Sequence, residues 1–222
     1  MRSAVLFVCL LLGSVHLAAE PVLRWAADPN SNAPYSFFAP GKALTGFEYE
    51  IINAVAQRIG RRAEFIQNDW SGLIPGLHRG LYDCVICGIE ITSEKADQVD
   101  FSIPYYFTFE QFVGRRERPP ITSLDQLRGE KIGTLDQTAA LRMLEQTPGV
   151  ITKTYDQEIS AYQDIVNGRP FWCTARLSDC QILCNTEPII STERSALWPD
   201  RLRHRSGEGQ LDAANENRRR PA

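Results

Sequence analysis

Between Val22 and Asn167 the chain alternates short apolar runs with segments whose apolar residues recur every three or four positions. This alternation restricts the fold more than any other feature, because strand and helix periods then take turns along one chain. Leu23 to Ala27 reads as a strand and Asp28 to Thr45, rich in Pro, Asn, Ser and Gly, as a loop. Phe47, Ile51, Ile52, Val55, Ala56 and Ile59 then fall at helical spacing, with Gly60 as the stop. Ala63 to Gln67 is the next strand. Asp69 is placed to cap a second helix whose apolar face carries Trp70, Leu73, Ile74 and Leu77, with Pro75 in its first turn. Cys84 to Ile89 is apolar throughout, as a buried parallel strand requires.

Asp100 to Tyr106 breaks this rhythm with Pro104 and paired tyrosines, Glu110 to Arg115 is extended, and the charged, Pro-rich stretch from Arg115 to Thr122 is a surface connection. A second unit follows. Ser123 caps a short helix, Lys131 to Leu135 and Val150 to Thr154 are strands, and Thr138 to Gln146 and Glu158 to Asn167 are helices. The order predicts an α/β protein of two lobes with small mixed or parallel sheets: lobe 1 over 20–108 and a partial lobe 2 over 109–169.

The first 19 residues are expected to leave the fold. Arg2 gives a positive start, Ala4 to Leu12 an apolar core too short to span a bilayer, and Gly13 to Ala19 a run ending in small residues, which together describe a cleavable export signal. The formal net charge of -3 gives no electrostatic case for a nucleic-acid partner. Of six cysteines, Cys9 lies in the signal segment, and Cys173, Cys180 and Cys184 lie late in the chain. Cys84 and Cys87 form a C-x-x-C inside an apolar run. Strand residues three apart point to opposite faces, so the pair reads as small buried hydrophobes rather than metal ligands. No metal or other cofactor is expected.

Four motifs in register resemble the family 3 solute-binding proteins of amino-acid ABC importers, over about residues 22–169. They are Gly46-Phe47-Glu48-Tyr49-Glu50 before an apolar helix, Asn68 to Leu77, Gly88 to Lys95 followed by Val99 to Tyr106, and Lys131 to Ala140. The resemblance implies a periplasmic-binding-protein type II fold whose lobes close on a small zwitterion, and an importer permease as partner. It also implies that Tyr35 and Trp70 wall the ligand, that Gly88 lets backbone approach it, and that Lys95 grips its carboxylate where relatives usually have Arg. Thr138 is implied at the same carboxylate, through its hydroxyl and the free N–H groups of its helix. Core packing is the alternative for Trp70, a solvated charge for Lys95, and a plain N-cap for Thr138. Glu90, where many relatives carry Ser or Thr, either holds a ligand ammonium group or neutralises Lys95, and favours a neutral or cationic ligand.

After Arg169 the likeness is expected to end. The family would continue with a strand bearing an Asp for the ligand's ammonium group, whereas residues 170–222 read as an atypical, poorly ordered tail rich in Arg, Cys and Ser. Shifted by one base, codons compatible with Thr174 to Pro188 can spell Leu-Leu-Asp-Tyr-Pro-Ile-Ala, with the Arg176 codon permitting Asp. This reads as a frameshift near residues 169–171 that leaves lobe 2 incomplete and ligand binding impaired. A sensory or permease-fused domain is one alternative. An enzyme on the same fold is a weaker one, because only Glu90 and Lys95 offer an acid–base pair, and His16, His78 and His204 fall in the signal, on a helix and in the tail.

Overall fold

The computed structural model describes residues 20–30, 32–115, 117–119, 121, 123–169 and 172–176, and the strand 189–191. The segment expected to be an export signal, Cys9, His16, Cys180, Cys184, His204 and most of the tail lie outside the described residues.

The first lobe is built on a parallel sheet of three strands in the order β4-β1-β5, where β1 is Val22–Ala27, β4 is Arg62–Gln67 and β5 is Cys84–Val85. Helix α1, Phe47–Arg58, crosses from β1 toward β4 and buries Ile52 and Ala56 in a core with Trp25, Leu73 and Tyr82. The loop expected over Asp28 to Thr45 contains a small hairpin of β2, Phe37–Phe38, and β3, Leu44–Thr45. The third strand is shorter than its apolar run: pairing stops at Val85, and Gly88 turns the chain with a φ of 57°.

The second helical segment opens as a single 3-10 turn, Trp70–Gly72, before α2, Leu73–His78. Asp69 makes no side-chain cap there. The cap comes from the end of β1, where the Asp28 carboxylate accepts the Trp70 N–H at 2.9 Å. One carboxylate thus ties the start of this turn to the strand whose end faces the second lobe.

An irregular crossover leads from α3, Ser93–Ala96, to β6, Glu110–Arg115. The second lobe is a five-stranded sheet in the order β10-β6-β9-β7-β8, with β7 at Lys131–Leu135, β8 at Ile151–Tyr155, β9 at Trp172–Arg176 and β10 at Ile189–Ser191. Strand β7 runs parallel to β8 and β9, and β6 runs antiparallel to β9, so the sheet is mixed. Helix α4, Ala139–Glu145, supplies Met143 and Leu144 to one face of it, and α5, Glu158–Val166, supplies Ala161, Tyr162 and Ile165 to the other.

The sheet continues past Arg169, where the sequence pattern ends the second lobe. All five residues of β9 are buried, and they alternate: Trp172 joins the α4-side core, while Cys173 and Ala175 join the α5-side core. Trp172 lies against Gly114 of β6, where any Cβ would stand 2.4 Å from its ring. The strand signal was hidden by residue type, since Cys, Thr and Arg blur a two-residue hydrophobic period.

Candidate functional site

The crevice between the lobes lies outside the carboxyl ends of β1 and β7, where open α/β sheets place their ligands. Several polar contacts among the described residues span it. The Trp70 indole N–H donates to the Asp136 carbonyl at 2.9 Å, the Ala139 N–H donates to the Glu90 carboxylate at 2.9 Å, and Arg142 pairs with Glu94. The structure is therefore closed.

Five of the six candidate residues come from lobe 1, and the sixth, Thr138, from lobe 2. Trp70 belongs to the lobe 1 core and also lines the crevice. The Lys95 ammonium stands 5.6 Å over its ring, within cation–π range. Lys95 is 5% exposed, and among the described residues its Nζ has no hydrogen-bond acceptor; Glu90 Oε2 forms an ion pair with it at 3.6 Å. Burial lowers the Lys95 pKa, Glu90 opposes that, and the positive charges of Arg142 and Arg176 lower it further. This is a desolvated cation whose paired carboxylate, Glu90, stands at ion-pair rather than hydrogen-bond distance.

Thr138 behaves as an N-cap: its hydroxyl accepts from Leu141 N–H at 3.2 Å and donates to the Leu135 carbonyl at 2.8 Å. The carboxylate at this helix start belongs to Glu90, which also faces Lys95. Glu90 Oε2 thus stands between the Lys95 ammonium and the Ala139 N–H.

Tyr35 is buried among Phe47 and Tyr106, with ring centroids 5.1 and 5.8 Å away. The Arg176 guanidinium lies 5.0 Å over its ring. Gly88 is the third side of this contact. Its N–H donates to Glu48 at 2.6 Å, and a Cβ there would stand 2.2 Å from Arg176 Nη1. Glu48 is fully buried and also accepts from the Tyr105 hydroxyl of the crossover. Burial raises its pKa, against the pull of Tyr105, Gly88 and Arg176.

Sequence reasoning missed Asp28, Glu48, Glu158 and Arg176. Glu48 reads as a first-turn acid complementing a helix dipole, and only its place in the Gly46 to Glu50 motif could have singled it out. Asp28 reads as loop, and Arg176 as tail. Together with Asn30, Trp70 and Leu135, the residues Asp28, Glu158 and Arg176 line an inner cavity of about 30 Å³. An outer cavity of about 520 Å³ shares Asp156 and Gln157 with it and adds Asp69, Ser71 and Ser160. The two cysteines of the C-x-x-C are free, and burial pushes their thiols up, Cys84 to about 11 and Cys87 to about 12. Cys87 Sγ takes contacts from Asp28 N–H and Asn32 Nδ2.

A profile of the bacterial extracellular solute-binding proteins, family 3, matches residues 23–215. The chain belongs to this family. The match runs beyond Arg169, in keeping with the place of β9 in the sheet. Among relatives of this solute-binding protein is a putative ABC transporter arginine-binding protein 2 of Escherichia coli (strain K12), 30% identical over 74% of this chain and 68% of its own length. Another is the L-cystine-binding protein TcyJ of the same strain, 33% identical over 61% of this chain and 52% of its own. The chain therefore spans between about half and two thirds of these relatives. An ancestral arginine-binding protein bound to arginine shares its fold with a TM-score of 0.73 at 27% identity, over 77% of this chain and 78% of the other. The fold is thus the two-lobed α/β fold of periplasmic amino-acid binders.

Proposed function

We propose that this protein captures a small zwitterionic amino acid between its lobes, outside the cytoplasm, and hands it to an ABC importer permease without chemical change. The observation that carries the reading is Lys95: a buried ammonium 5.6 Å from the Trp70 ring, with no hydrogen-bond acceptor among the described residues and the Glu90 carboxylate 3.6 Å away. Such a group asks for a carboxylate. Tyr35 and Trp70 supply apolar walls and Gly88 backbone access, while Thr138 shapes the opposite rim. Asp28, Asp156 and Glu158 along the inner cavity favour a ligand with a cationic side chain. Relatives named for arginine support the same direction.

Affinity is expected to be impaired, because β9 ends in Arg176 where the family pattern places an acid for the ligand's ammonium group. Isothermal titration with L-arginine, L-lysine, L-histidine, L-cystine and L-glutamate tests the proposal. Basic amino acids should bind best, and Lys95→Met should weaken them about tenfold or more, as loss of a charge-assisted contact does. A preference for L-glutamate, or binding indifferent to Lys95→Met, would refute it.

A further inference from the structure

We propose that the side chain of Arg176, with Glu90 beside it, is an internal occupant of the cleft, on which the lobes close and which a free amino acid must displace. The inference rests on the amino-acid reading of the cleft and deepens it. Arg176 is the last residue of β9, at the carboxyl end of the parallel β7–β9 pair, and it is 6% exposed. From lobe 2 its guanidinium reaches lobe 1, stacks over Tyr35 at 5.0 Å, and fills the space that glycine leaves at position 88. A planar cation on an aromatic face beside a bare backbone is how a free guanidinium ligand would be held.

The acidic pole is filled as well. Glu90 Oε2 sits between Ala139 N–H at 2.9 Å and Lys95 Nζ at 3.6 Å, where a ligand carboxylate would go. The positive charge of Arg176 also reaches Glu48 and Glu158, holding both carboxyls below the level burial alone would set. The inner cavity that Arg176 lines is about 30 Å³, room for a water or two and far below the roughly 300–1,000 Å³ of a ligand pocket, while the adjoining cavity of about 520 Å³ stays open. If nine-tenths of the molecules hold Arg176 in place, the apparent affinity for an external ligand falls about tenfold.

The experiment compares the full mature chain with Arg176→Ala and with Arg176→Met, which keeps the bulk of the strand end. Small-angle scattering reads lobe closure, titration with L-arginine reads access, and methylguanidinium is the small-molecule replacement. Arg176→Ala should have a larger radius of gyration, return toward the parent value in methylguanidinium, and bind L-arginine about tenfold more tightly or better. Arg176→Met should open too, without responding to methylguanidinium, and it serves as the test should the alanine variant fold poorly. Parent-like scattering by whichever variant folds overturns the proposal. So does equal L-arginine affinity in parent and variant, which leaves the amino-acid reading standing. Opening and rescue without binding of any amino acid would uphold the internal occupant and sink the amino-acid reading instead.

Discussion

Glu48 shows how a single buried acid makes this fold sensitive to pH. Its carboxyl is pushed above the usual range by burial, so between the unfolded value of 4.5 and its higher folded value the native chain retains a proton that the unfolded chain has lost. Stability then falls as pH rises through that window and is regained on acidification. Asp28 and Glu158 are shifted the same way. Glu48→Gln should flatten the rise in thermal midpoint on acidification toward pH 4.5, as scanning calorimetry would show; an unchanged slope would remove Glu48 from this role. Gly88 is the other sensitive position. Gly88→Ala combines a left-handed backbone with a clash against Arg176 and should cost about 1–3 kcal/mol in urea unfolding. In an Arg176→Ala background part of that cost should vanish, since residues in contact do not add.

At the scale of elements, most of the pattern was legible because periodicity needs no partner. Helix α1 and strands β6 and β7 fall almost where their apolar spacing puts them. Two things were not legible. The Trp70 turn is capped by Asp28, which is 42 residues away, rather than by adjacent Asp69, and long-range caps leave no local signature. Asp28→Ala should therefore cost about 1–2 kcal/mol of stability, and Asp69→Ala under about 0.5. Strand β9 was the second. Its Cys, Thr and Arg look like tail, yet flanking strands bury every residue. Trp172→Ala should cost about 3–5 kcal/mol by chemical denaturation, whereas an idle tail would tolerate it. Around the crevice, Trp70, Lys95 and Gly88 can be proposed from motif position. Glu48 and Arg176 were not legible, since a charge in sequence says nothing of where its tip will lie.

For the whole molecule, the frameshift near residues 169–171 stays a proposal beside a family match that runs to residue 215: β9 as printed ends in Arg176, where the text shifted by one base permits Asp. Sequencing the gene across codons 165–180 and weighing the intact protein checks this, and an uninterrupted frame encoding this mass would end it. The crossover presents Ile103, Phe107 and Phe109 at 80%, 59% and 53% exposure, an apolar stretch that should bind a hydrophobic dye in the folded state. The place of β9 also bears on the order in which the chain can be assembled. Lobe 1 draws its sheet from residues 22–85 and can settle early, whereas the middle berth of the other sheet, between β6 and β7, stays vacant until β9 emerges. Because that strand must join one laid down some 60 residues before, the wait is costly in loop closure, and the newborn lobe is for that interval a target for proteases and chaperones.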